Sequence, residues 1–304
     1  MAEKNIWTGP VVDAHHHFWD LEKHLYPWLT KDIMVPHRYG DYSAIKKTYL
    51  MSDYFDDIVG QNVVTSVYCE AEYDPQAPLK ETHYVHEVAR DFGYPGAMVA
   101  QAWLDAEDAA SLLAEQAAYP LVRSVRHKPG GPSTPVEQGR SLMLSDKWLR
   151  GYSELEKYGL HFDLQANWWV LPEAAELAAN FPHTLVIVNH TGVPGRSEEA
   201  LLGWRANMEK LAARPNTAVK ISGLCEANKP WTVESNRRIV KDVISMFGAD
   251  RCMLGSNFPV DGMVTTFATI FDGYRAILAD LPEKEQGAVF HKTAERIYRP
   301  QRLQ

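Results

Sequence analysis

The sequence predicts an α/β protein, a (β/α)₈ barrel, on three observations. Short β-rich runs alternate with stretches of helical periodicity, which indicates a parallel sheet. Eight such runs occur within 304 residues, the strand number and length of a closed barrel. No G-x-G-x-x-G loop follows an early strand, so the open doubly wound sheet that usually carries one is the weaker alternative.

The predicted strands are Val11–Ala14, Val63–Cys69, Ala97–Ala102, Leu121–Arg126, His161–Leu164, Thr184–Asn189, Ala218–Ile221 and Cys252–Gly255. Helical stretches are expected at Pro78–Phe92, Ala106–Ala117, Lys147–Tyr158, Pro172–Asn180, Glu198–Ala213 and Val233–Phe247. Leu201, Trp204, Met208 and Leu211 recur at intervals of three and four, the spacing of one helix face. Thr266–Leu281 supplies a helix after the eighth strand, with Phe267, Ile270, Phe271, Tyr274 and Leu278 on one side.

Two segments break the repeat. Asp20 to about Asp57 reads as a long loop inserted after strand one, lying over the barrel mouth and carrying a short helix near Met51–Val59. Pro129 to Gly139, rich in Gly, Pro and Ser, follows strand four. Long loops of this kind cover the C-terminal face, where barrel enzymes place their active sites. With no linker and no internal repeat, residues 1–304 read as a single domain.

Composition narrows the function. The chain is 45% hydrophobic and 23% charged, enough apolar surface for a full core. A net charge of -8 argues against a nucleic-acid partner, because phosphate binding needs a basic face. No apolar run approaches the ~20 residues of a membrane span, and the first residues are followed by no apolar signal region. Cys69, Cys225 and Cys252 are far apart and odd in number, without zinc spacing, so buried reduced thiols in a cytoplasmic protein are expected. Serine hydrolase chemistry lacks its G-x-S-x-G elbow. The oligomeric state is open, a homo-oligomer included.

The chemistry gathers at strand ends. In Asp13-Ala14-His15-His16-His17, alternation along a strand sends His15 and His17 one way and His16 the other. Val11-Val12 before the run and Phe18-Trp19 after it argue against a solvated tag. Strand two ends at Glu70, with Glu72 two positions on; strand four at Arg126, His127 and Lys128. Strand five offers Gln165 and Asn167, strand six Asn189-His190, strand seven Lys220 and Ser222, and strand eight Ser256-Asn257. A bland core needs no His or carboxylate at nearly every strand end, although Lys220 and Asp163, taken singly, suit a structural role as well. Trp19, Trp28, Trp168 and Trp169 read first as core and lid packing, and aromatic rings at the mouth, Trp19 above all, would suit a sugar face.

His15-x-His17-Phe18-Trp19, Asn189-His190-Thr191-Gly192, Val219-Lys220-Ile221-Ser222-Gly223 and Gly255-Ser256-Asn257-Phe258-Pro259-Val260-Asp261 together resemble the amidohydrolase-2 group of the amidohydrolase superfamily. The resemblance runs from about Val11 to Tyr298, and its pattern is nearest to the lactonases typified by fuconolactonase and pyrone-dicarboxylate lactonase. It implies a barrel that opens a small lactone ring, of a sugar acid or muconolactone type, with activated water, in carbohydrate or aromatic-acid catabolism. It implies His15, His17 and His190 as catalytic groups or as ligands of one divalent metal, zinc being the ion that suits histidine-rich donors. Some relatives work without metal, and metal independence stands equally open here.

One departure from the pattern matters. The eighth-strand position, usually Asp, is Asn257, and an amide cannot take a proton from water. A fifth-strand histidine is also missing, the strand ending at Gln165. Candidate replacement bases, in order, are His190, Glu70 and Asp261, with Glu72 sharing the parity of Glu70. The lactone carbonyl would be polarised by a metal or by His15 and His17, while Arg126 and Lys128 bind a carboxylate or hydroxyls of the substrate. A salt bridge on the rim is the structural alternative for Arg126. A lactone isomerase or decarboxylase on the same barrel, or a non-catalytic ligand-binding barrel, are the other readings. Asn257 counts against the decarboxylase, and the three retained histidines count against simple binding.

Overall fold

The computed structural model describes residues 5–30 and 34–302. Residues 31–33, part of the predicted insertion, and the first four residues of the chain fall outside them. Eight parallel strands run in sequence order: β1 (Val11–His16), β2 (Val63–Cys69), β3 (Ala97–Gln101), β4 (Val122–Arg126), β5 (His161–Leu164), β6 (Val186–Val188), β7 (Thr217–Ile221) and β8 (Cys252–Leu254). The ring closes through backbone bonds between the ends of β8 and β1. Asn257 N–H donates to the His15 carbonyl and His17 N–H to the Phe258 carbonyl, each at 2.7 Å. The sequence expectation of a (β/α)₈ barrel is met.

Helices Pro78–Phe92 and Val233–Phe247 fall where helical periodicity predicts. Ahead of Phe267–Leu278, Thr266 Oγ1 accepts the Thr269 N–H at 3.1 Å, an N-cap that satisfies an otherwise orphaned donor. Phe267, Ile270, Phe271, Tyr274 and Leu278 are all buried, as the predicted face requires. β6 lacks two residues of the expected strand at its start and one at its end, where the chain leaves it at Asn189 in a left-handed turn, with φ of 52° at His190 and 59° at Thr191.

Apolar side chains fill the lower lumen. Val12, Ala14, Val67, Val99, Ile187 and Met253 form one cluster with Tyr298, from the terminal helix Thr293–Tyr298. Each fully buried Val, Ile or Met side chain among them contributes about 1.5–3 kcal/mol. Above them lies a charged layer, in which Lys220 pairs with Asp163 at 2.7 Å and Tyr298 Oη donates to Asp163 at 2.8 Å. Lys220 and Asp163 are therefore structural partners beneath the mouth.

β1 carries a bulge that the sequence pattern does not reveal. Asp13 pairs with Ser66, whereas His16 pairs with Tyr68, so three steps along β1 match two along β2. Val12 and Ala14 face the lumen, and strict alternation from them would turn His16 inward. The extra residue reverses the parity, which is how a bulge re-aims side chains beside a functional site. His15 and His17 turn in, while His16 turns out to stack on Tyr54 at 4.2 Å and hydrogen-bond Ser66 Oγ at 2.9 Å.

The insertion after β1 is pinched at its base, where Trp19 and Tyr49 exchange backbone hydrogen bonds of 2.8 and 2.9 Å. Its expected short helix is present at Met51–Asp57. Among the described residues no helix is long and apolar enough to cross a membrane.

Candidate active site

A cavity of about 590 Å³ opens at the C-terminal end of the barrel. His17 and His190 line it together with Asn257, Arg126 and Lys128, and Arg38 of the insertion forms part of its wall. The insertion and the Gly130–Ser133 stretch both border it, so both irregular segments cover the mouth as the sequence predicts.

Three imidazoles gather on one side. The His15 ring centroid lies 5.0 Å from that of His17 and 4.5 Å from that of His190. Burial, the largest influence, holds all three imidazoles well below the ordinary histidine range; His190 adds its influence at His15, as do Arg126 at His17 and Arg38 at His190. They are neutral at pH 7.

Their hydrogen bonds decide what each can do. His17 Nδ1 lies 2.7 Å from the Cys69 carbonyl. A carbonyl only accepts, so Nδ1 carries the proton and Nε2 presents a lone pair. This corrects the expectation that His17 polarises the substrate carbonyl: its single proton is committed to Cys69, and it can only accept. His190 Nδ1 lies 3.0 Å from Ser222 Oγ, which leaves Nε2 for the cavity. Both ring nitrogens of His15 lack a partner among the described residues.

The other base candidates are already engaged. Arg126 Nε pairs with Glu70 Oε1, and its Nη2 donates to the Glu70 carbonyl at 2.6 Å. Glu70 also accepts the Glu72 N–H at 2.7 Å. Glu72 is paired with Lys128. Asp261 is reached from one turn away, where Asn257 Nδ2 donates to it at 2.7 Å. Tyr39 Oη donates to the same oxygen at 2.6 Å, and Arg38 stands 3.8 Å off. Burial raises the Asp261 carboxyl, and Arg38 opposes that rise. Asp261 thus orients Asn257 and anchors the insertion. Of the ranked bases, only His190 keeps an uncommitted atom at the cavity.

Gln165 accepts from Arg126 Nη1 at 2.9 Å and lines the cavity. Trp19 is a correction. It is fully buried, donates to the Lys47 carbonyl at 2.7 Å and packs edge-on to Trp28 at 5.8 Å. The pinch at Trp19 and Tyr49 draws its ring under the insertion, and Trp28 takes the place at the cavity wall. Sequence reasoning missed Arg38 and Tyr39, because nothing in a loop sequence says which residue reaches back to the barrel.

The backbone is strained where the site is built. Glu72, His190, Thr191, Val193 and Asn257 all have φ between 49° and 59°. This left-handed conformation costs a residue with a Cβ about 1–2 kcal/mol, and such residues cluster at functional sites.

The chain matches the family described as amidohydrolase across residues 12–299. It belongs to the amidohydrolase family. "Uncharacterized protein y4mH" of Sinorhizobium fredii is 38% identical over 293 residues, covering 95% of this chain and 98% of that one. An L-fucono-1,5-lactonase of Burkholderia ambifaria is 25% identical over 267 residues, 84% of this chain and 82% of its own. The crystal structure of an amidohydrolase from Burkholderia multivorans with bound zinc shares the fold at a TM-score of 0.79 and 22% identity, over 96% of this chain and all of that one.

The family raises the question of a divalent metal on His15, His17 and His190. The unpartnered His15 nitrogens would admit one, but the charge around the three imidazoles opposes it. The position that would supply a compensating carboxylate is Asn257, and Lys220 and Arg126 are the charges that His15 senses besides its neighbouring imidazoles. Among the described residues no group of three or more His, Cys, Asp or Glu side chains is arranged to hold a metal ion. The chemistry derived below therefore uses side chains alone.

Proposed function

We propose that this amidohydrolase-family member hydrolyses a small lactone, with His190 as general base. The observation that carries the reading is the His17 and His190 pair on the cavity wall beside Arg126, where burial favours the neutral form of both imidazoles. The lactonase relative supports it, since that enzyme's name specifies a cyclic ester.

A water is held by the lone pair of His17 Nε2. When His190 Nδ1 donates to Ser222 Oγ, Nε2 carries the lone pair that accepts a proton from that water. The water oxygen bonds to the lactone carbonyl carbon, and the carbonyl electrons move onto its oxygen. Arg38, whose guanidinium forms part of the cavity wall, stabilises that charge. The ring C–O bond then breaks, the leaving oxygen takes the proton back from His190, and a hydroxy acid results. Arg126 commits three N–H groups to Glu70 and Gln165, and those remaining on its Nη atoms, with Lys128, are available to a carboxylate or hydroxyl of the substrate. Metal ions have no step in this scheme.

The pH dependence follows in sign. His190 works as its neutral form, and burial with Arg38 and Arg126 nearby depresses its protonation below the usual 6.5. In an indicator assay over sugar-acid and aromatic-acid lactones, kcat/KM should stay level as pH falls through 6.5 and decline only below it. A kcat/KM that rises as pH falls, the profile of a group that must be protonated, would exclude His190 as the base.

A further inference from the structure

Beside the first cavity lies a second of about 570 Å³. The two share Trp28, Val35, Glu72, Arg126 and Lys128 as a common wall. Away from that wall the second cavity changes character, with Trp103, Tyr73, Pro27 and Pro75 providing flat apolar surfaces. His127 is part of its lining and is held rigidly. Its Nδ1 accepts from Leu104 N–H at 3.0 Å and from Trp148 Nε1–H at 3.1 Å, and its ring lies 5.5 Å from that of Trp103.

One polar atom here has no partner among the described residues. Gln101, only 1% exposed, lines the cavity, and its Oε1 accepts no hydrogen bond among the described residues. Its Nε2 is directed to the Tyr73 carbonyl at 3.4 Å, which fixes the amide orientation and leaves the oxygen as the free end. A buried acceptor without a donor is costly, about 1–3 kcal/mol, and a ligand O–H would relieve it.

We propose that this second cavity is a subsite for a non-reacting part of the substrate, a flat aryl group bearing a hydroxyl that donates to Gln101 Oε1. The inference rests on the lactonase reading for what happens next door, and it narrows the substrate to lactones with a hydroxyaryl substituent. The aryl group stacks against Trp103, and Arg126 and Lys128 at the shared wall hold the anionic or carbonyl end. A bare sugar lactone would fill only the first cavity.

Binding tests this without requiring turnover. Acetate, phenylacetate and 4-hydroxyphenylacetate are titrated into the protein by calorimetry. Phenylacetate should bind more tightly than acetate, and the 4-hydroxyl should add about tenfold, the worth of one hydrogen bond to a buried acceptor. Gln101→Leu should remove the hydroxyl preference and keep the phenyl preference. Should that variant fail to fold, Trp103→Ala provides the check, weakening both aromatic acids about fivefold or more through lost stacking while sparing acetate. Equal affinity for acetate and phenylacetate, or a hydroxyl preference that survives Gln101→Leu, overturns the subsite. Simple lactones turned over without these preferences would sink the subsite alone. The preferences without hydrolysis of any lactone would leave the subsite and sink the hydrolase.

Discussion

Replacing His190 with glutamine should lower kcat/KM for lactone hydrolysis by about 10²–10⁴-fold, the range of a lost general base. Glutamine keeps a similar reach and can still bond Ser222 Oγ, so the turn at His190 and Thr191 should survive and far-ultraviolet circular dichroism should be unchanged. The effect should fall on kcat, because the imidazole acts on the attacking water rather than on bound substrate. A loss smaller than threefold would move the base elsewhere. Glu70 and Asp261 are poor replacements, since Arg126 engages the first and Asn257 and Tyr39 engage the second.

Arg126→Met should be the most destabilising change at the mouth. Arg126 and Glu70 are each 3% exposed and paired. Removing the guanidinium leaves the Glu70 carboxylate buried without its counter-ion, a loss of about 3–5 kcal/mol for a broken buried pair. Removing both charges, as Arg126→Met with Glu70→Leu, should restore much of that stability, since well-packed apolar replacements of such a pair are often neutral. Urea midpoints of the single and double variants measure this. Activity should not return in the double variant, because the remaining Arg126 N–H groups that face the substrate are still gone. A single variant as stable as the parent would show that Glu70 is hydrated and the pair superficial.

Much of this was readable from the residues. The eight strands follow from β-rich runs spaced by helical periodicity, and the strand-end positions of His17, Arg126, His190 and Asn257 follow from barrel geometry. What the sequence hid has physical causes. Counting along β1 yields the right histidine pair without the bulge that makes it so, because register is a property of two strands. The tautomer of His17 depends on the Cys69 carbonyl, a backbone atom that no motif shows. Glu70 and Asp261 look like free carboxylates in sequence, and only tertiary pairing reveals that they are spent. Arg38 and Tyr39 come from an irregular insertion, where no periodicity says which side chain returns to the barrel. Trp19 follows the H-x-H motif directly, yet the Trp19–Tyr49 pinch draws it into the packing.

In the proposed mechanism side chains alone, led by His190, activate water on a lactone. The most direct measurement is hydrolysis by the parent and His190→Gln proteins across a lactone panel, after exhaustive dialysis against chelator, with metal content determined on the same samples. The parent should keep its turnover without bound metal, and His190→Gln should lose it. Turnover that vanishes with chelator and returns with zinc would contradict that mechanism and make the three histidines ligands, while a metal-free parent that opens no lactone would contradict the hydrolase itself.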